Sequence, residues 1–124
     1  MTATNLAGVA VAGALGAPCR YLLSRYLTRP DNTLAWGTFA VNVSGSLILG
    51  LVTGAGLYHA FPATPRIWLG TGFCGSYTTF STFTAETIGL LEEGRAREGF
   101  AYLAASALAG TAAAGVGLGL TAIF

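Results

Sequence analysis

Apolar residues run along this chain in four long blocks, and most of the charged residues fall in the gaps between them. About 20 mainly apolar residues cross a bilayer as a helix, and each block reaches that length. The blocks predict helices over about residues 6–27, 34–58, 67–91 and 99–124, in a single domain over 1–124. The gaps carry the punctuation: Thr28-Arg29-Pro30-Asp31-Asn32, then His59 to Arg66 with Pro62 and Pro65, then Glu92 to Glu98. The prolines mark turns and helix starts. Trp36, Tyr58 and Trp68 stand near block ends, as interfacial aromatic belts do. The pattern reads as an all-α membrane protein, a four-helix bundle with short loops and no internal repeat.

The third block departs from the pattern. From Gly72 to Phe83 it reads G-F-C-G-S-Y-T-T-F-S-T-F, where an ordinary span would carry Leu, Ile and Val. Glycine costs about 1 kcal/mol in a helix interior, and β-branched threonines add smaller costs. Backbone that leaves the helix at membrane depth must be satisfied by protein or by a bound ion, because lipid offers no partner. A break kept under that constraint commonly presents carbonyls or amides to an ion. The third helix is therefore expected to be broken, with the functional centre at the break.

Composition supports the membrane assignment. The chain has 124 residues, of which 53% are hydrophobic and 9% charged, with a mean hydropathy of +0.63. Soluble domains carry about 25% charged residues, so this chain could not cover a soluble surface. The net charge is +1, and lysine is absent. No basic patch suggests nucleic acid, no nucleophile–base pair suggests an enzyme, and no Cys/His cluster suggests a transition metal. Cys19 and Cys74 lie inside apolar blocks and read as small buried hydrophobes rather than a disulfide. The start of the chain lacks the Lys/Arg that opens a signal peptide, so the first block is expected to be retained.

Several polar residues stand where apolar ones would be cheaper. Arg20 lies a turn or two before the first gap. It admits two readings, a side chain snorkelling to headgroups or a buried contact near an anion vestibule. Thr38, Asn42 and Ser46 recur every four residues and share a helical face. Asn42 at mid-span needs partners, either as glue between helices or as an amide donor to a permeating anion. Gly8, Ala12, Gly13 and Gly16, then Gly45, Gly50 and Gly54, read as close-approach positions. Phe80 and Phe83 share a face after the break, and their positive ring edges suit an anion. Glu86 follows one turn later, either at the interface or hydrogen-bonded within the bundle. Tyr102 and Ser106 suggest a hydroxyl stripe in the fourth block.

The segments G-A-L-G-A-x-x-R-Y from Gly13, G-T-F-x-V-N-x-x-G-S from Gly37 and G-F-C-G-x-x-T-T-F-S-T-F from Gly72 resemble, in order and spacing, the Fluc (CrcB) fluoride channels. The resemblance covers essentially the whole chain. It implies a fluoride-specific channel, multi-pass in the cytoplasmic (plasma) membrane of a prokaryote, that exports fluoride by passive electrodiffusion and relieves its toxicity. It further implies an antiparallel, dual-topology dimer with two pores along the protomer interface. A structural Na+, not transported, would sit at the dimer centre on the backbone carbonyls of Gly75 and Thr78 from each protomer. Phe80 and Phe83 match the pore phenylalanines, Asn42 the pore asparagine, and Thr38, Tyr102 and Ser106 a polar track. Arg20, Gly45 and Glu86 are expected to be structural residues. Gly110 stands where some members have a serine, and Ser76 replaces a glycine often found there.

The chemistry agrees with that resemblance. Fluoride is small and strongly hydrated, so its shell must be replaced by convergent donors. A ring of cations would hold it too tightly to conduct, and the sequence offers neutral donors (Asn42, Tyr102, Ser106 and the threonines) and ring edges instead. One feature pulls against dual topology: Arg20, Arg25, Arg29, Arg95 and Arg97 flank the first and third gaps, and Arg66 alone the second. That bias favours one orientation. The expected assembly is a homodimer in lipid, with a heterodimer of oppositely oriented sister subunits as the alternative. The rival function is a four-helix multidrug-type cation exporter, which needs a carboxylate in the first helix that this chain does not have.

Overall fold

The computed structural model describes residues 1–28 and 35–124, and every regular element in them is helical. Two long helices, α1 (Ala3–Leu27) and α2 (Trp36–Tyr58), are followed by a helix in pieces. Its parts are α3 (Ala63–Ile67), a π-helical stretch over Trp68–Cys74, the single turn α4 (Gly75–Tyr77) and, beyond a gap, α5 (Phe80–Glu92). The last helix, α6, spans Ala96–Ile123. The helices α1, α2 and α6 are each long and apolar enough to cross a membrane unbroken.

Local chemistry sets the ends. The Thr2 side chain accepts the Asn5 N–H, so α1 starts before the first leucine of the pattern. The third helix starts at Ala63 rather than Ile67, because Pro62 and Pro65 fit the cap and first turn, where a missing N–H costs nothing. At the end of α5, Gly94 takes φ +75°, the Arg95 N–H reaches the Leu90 carbonyl, and the Gly94 N–H reaches Leu91. That paired arrangement is a Schellman stop, and it lets α6 begin at Ala96 instead of Gly99. The expected start of the second helix at Leu34, and the gap containing Arg29 to Asn32, lie outside the described residues.

Small residues bring the helices together. A Cβ on Gly50 would overlap the Ala114 carbonyl, and one on Gly54 would overlap the Thr121 hydroxyl. On the facing helix, a Cβ on Gly117 would lie 2.8 Å from the Leu51 nitrogen. The α2–α6 seam is thus backbone against backbone, as small-residue spacing allows in a membrane. The first half of the broken helix leans on α1, with Gly16 beneath Ser76 and Gly72 against Val9 and Ala12. The second half, α5, leans on α6.

Two expectations change here. Cys74 is buried, but Cys19 is exposed on the outside of α1. In a membrane the outer surface is apolar too, so an apolar neighbourhood does not mean burial. Trp68 also packs inward: its indole ring takes the space that a Cβ on Gly8 of α1 would need, and its indole N–H is shielded with no partner among the described residues. Around this frame large apolar side chains face outward, among them Leu6, Val11, Leu15, Leu57, Ile88, Leu108 and Val116. That surface suits lipid, and the chain is a multi-pass membrane protein.

Candidate functional site: the break in the third helix and its groove

Helical geometry ends at Tyr77. Thr78 (φ −81°, ψ 162°) and Thr79 (φ −147°, ψ 121°) are extended, and the helix resumes at Phe80. The expected break is therefore at Thr78–Thr79. Its repair comes from residues already in place nearby. Thr79 caps α5, its hydroxyl accepting the Thr82 N–H at 3.2 Å. The Asn42 amide grips the Thr79 backbone from both sides, donating to its carbonyl at 3.0 Å and accepting from its N–H at 2.8 Å. Arg20 reaches inward from α1 and donates to the Thr78 carbonyl at 3.3 Å. The Thr78 hydroxyl turns back to the Cys74 carbonyl at 2.8 Å.

These contacts show what several of the singled-out residues bond to. Asn42 acts as glue between helices, with one amide hydrogen left over. Arg20 is not a snorkelling side chain, because its guanidinium bonds within the bundle at the break. Gly45 is buried, and a Cβ there would overlap the Thr78 methyl. Ser76 sits in helical backbone and donates to the Phe73 carbonyl at 3.1 Å. Its side chain is compatible with the conformation, so a glycine is not required there.

Beside the break lies an open groove of about 490 Å³. Asn42, Ser46, Phe80, Phe83 and Ser106 line it, along with Gly75, Thr78 and Gly110. The Phe80 and Phe83 rings are 6.1 Å apart at the centroids, and Phe80 is 78% exposed, projecting from the molecule. The Ser106 hydroxyl is shielded yet has no hydrogen-bond partner among the described residues. Buried polar groups are nearly always paired, so this donor, aimed at a groove, marks a place for an acceptor. Ser46 and the spare amide hydrogen of Asn42 add neutral donors on the opposite wall.

The expected polar track divides in two. Thr38 and Tyr102 do not line this groove. They hold Glu86 instead, the Thr38 hydroxyl donating at 2.9 Å and the Tyr102 hydroxyl at 2.8 Å. Glu86 is thus bonded within the bundle, three residues beyond Phe83, and the Tyr102 ring lies against Phe83 at 5.4 Å. The two sets meet at Phe83. Sequence reasoning also missed the bond between Ser44 and the buried Tyr77 hydroxyl at 2.8 Å, for which no periodic signal exists. The groove wall formed by Leu49, Gly70, Leu103 and Ala107 escaped as well, since small and apolar residues there match any packing face.

The fold and site define a small multi-pass membrane protein built around a helix interrupted at mid-span, with a groove lined by neutral polar side chains and phenylalanine rings at the interruption. The profile of the family described as CrcB-like protein, Camphor Resistance (CrcB), matches residues 7–118. The chain is 50% identical over 113 residues to the "Fluoride-specific ion channel FluC 2" of Rhodococcus jostii, covering 91% of this chain and 95% of that protein. It is 46% identical over 116 residues to "Fluoride-specific ion channel FluC 1" of Streptomyces avermitilis (92% and 90%). It is 40% identical over 119 residues to "Fluoride-specific ion channel FluC" of Rhizobium meliloti (94% and 87%). The chain belongs to the CrcB family.

Proposed function

We propose that this protein is a fluoride channel of the plasma membrane and no enzyme, passing fluoride out of the cell by passive electrodiffusion. The observation that carries the reading is the groove: hydroxyl and amide side chains line it together with two phenylalanine rings, and no basic side chain among the described residues does. Neutral donors replace a hydration shell while binding weakly enough to let the ion go. The names of the relatives specify the anion. Family membership leaves no reason to keep the multidrug-type exporter.

The groove is open along one side and Phe80 stands out of the molecule, so the pore needs a second wall. A second copy in the opposite orientation supplies one. Such a pairing also fits a central Na+. The Thr79 N–H, which a continuous helix would give to the Gly75 carbonyl, is turned to Asn42, so the Gly75 carbonyl loses its helical donor. Gly75 is also exposed, with no heavy atom closer than 4.0 Å to where its Cβ would be. The Thr78 carbonyl, with Arg20 on one lone pair, keeps the other. Neutral carbonyls from two copies suit a hard monovalent cation. Bound there, Na+ would tie the two breaks together, and it needs no part in permeation.

Fluoride efflux from liposomes holding the purified chain, with chloride as control, tests the function. Valinomycin-dependent fluoride release without chloride release is expected, with Phe80→Ile and Phe83→Ile abolishing it in a folded protein. Equal chloride release, or unchanged fluoride flux in both variants, rules the reading out. Orientation is scored separately by tagging the termini: one orientation only, when the chain is expressed alone, replaces the homodimer by a pair of sister subunits.

A further inference from the structure

The two ends of the molecule are charged differently. The described carboxylates, Glu86, Glu92, Glu93 and Glu98, all lie towards the end where α1 and α5 finish, and Arg20, Arg25, Arg95 and Arg97 share it. At the other end, where α2 and α6 finish and α3 starts, Arg66 is the one Arg or acidic side chain among the described residues.

Arg66 is held in place and left unpaired. Its guanidinium and stem lie over Gly56, where any Cβ would overlap the Nη1 atom and come within 2.6 Å of Cδ. Its Nε is shielded from solvent without a hydrogen-bond partner, and no carboxylate among the described residues reaches the guanidinium. An arginine that merely snorkels does not need a glycine slot on the neighbouring helix. The slot also lies in line with the groove. Leu49 and Gly70 both line the groove as neighbours, since a Cβ on Gly70 would lie 3.4 Å from the Leu49 Cδ1. Gly56 lies seven residues beyond Leu49 on the same face of α2, and Arg66 four residues before Gly70. At 1.5 Å per residue the guanidinium stands about 10 Å beyond the end of the groove.

We propose that Arg66, seated on Gly56, is an anion-recruiting residue at this mouth of the pathway, raising the local concentration of fluoride without entering the groove. The inference rests on the channel reading above. A fixed charge at this distance acts through space, so its effect must follow the Debye length, about 30 Å at 0.01 M salt and about 3 Å at 1 M. Binding inside the groove by neutral donors does not share that dependence.

The test is initial fluoride flux in vesicles of zwitterionic lipid, at fixed low fluoride, with ionic strength raised by an impermeant salt. Arg66→Gln is expected to lose about 3- to 10-fold at 0.01 M ionic strength and to match the parent at about 1 M. Arg66→Lys is expected to keep the parent's flux and salt dependence, because it keeps the charge and loses only the planar fork. If Arg66→Gln does not assemble, the lysine variant decides alone. A loss in Arg66→Lys that is equal at all salt concentrations means a packing role and overturns the proposal. So does an unchanged Arg66→Gln, the result expected if a lipid phosphate already neutralises this guanidinium. A parent protein that releases no fluoride refutes the channel reading itself, a separate outcome from any of these.

Discussion

The seam between α2 and α6 and the break at Thr78–Thr79 solve one problem in opposite ways. Both place backbone next to backbone in the membrane. Along the seam each helix satisfies its own peptide groups, so only room is needed, and Gly50, Gly54 and Gly117 supply it. At the break the helix cannot satisfy itself, and side chains from two other helices, Asn42 and Arg20, take over. The seam depends on atoms that are missing, and the break on atoms that are present. Only the second kind of place releases backbone carbonyls from a helix, as it does that of Gly75, and so leaves them free to face an ion.

The comparison breaks most readily on the seam. Gly50→Leu puts a side chain where the Ala114 carbonyl lies; with no flexible neighbour to yield, the cost should exceed the ~1–3 kcal/mol usual for overpacking. Little monodisperse protein is expected in detergent, and a normal yield would mean the seam is looser than described. Asn42→Ala leaves the Thr79 N–H and carbonyl unpaired, at about 1–3 kcal/mol for each buried group left unsatisfied. Thermal unfolding in detergent should show a lowered midpoint, and fluoride flux should fall with it.

Smaller effects separate the groove from the Glu86 cluster. Tyr102→Phe removes one of two donors to Glu86 and should cost about 0.5–1.5 kcal/mol, read by the same unfolding assay, with the lining of the groove intact. A cost as large as that of Asn42→Ala would merge the two clusters into one unit. The smallest change is expected at Gly119, which has nothing within 4 Å of where its Cβ would be. Gly119→Ala should stabilise by up to about 1 kcal/mol through helix propensity alone. A loss there would place a partner against this stretch of α6.

The break was legible because glycines and hydroxyl residues interrupt an apolar block, a local contrast that needs no knowledge of the fold. Asn42 was legible as an expense at mid-span, though not its partner, since nothing in a sequence says which peptide group a side chain will grip. The inward turn of Arg20 and the outward position of Cys19 were not legible for a related reason. In a membrane both faces of a helix are apolar, so hydrophobicity loses the contrast that sorts inside from outside. The Thr38–Glu86–Tyr102 cluster joins three helices, and the four-residue spacing that grouped Thr38 with Asn42 holds only along one of them.

The order of the repairing groups along the chain has a consequence for biosynthesis. Chains are made and inserted from the N-terminal end. Arg20 and Asn42 both precede Thr78, so α1 and α2 have been synthesised before the interrupted segment leaves the ribosome. Its unpaired peptide groups, which lipid cannot satisfy, thus meet their partners on arrival. A rearranged gene that placed the third helix first would deliver the same contacts in the wrong order.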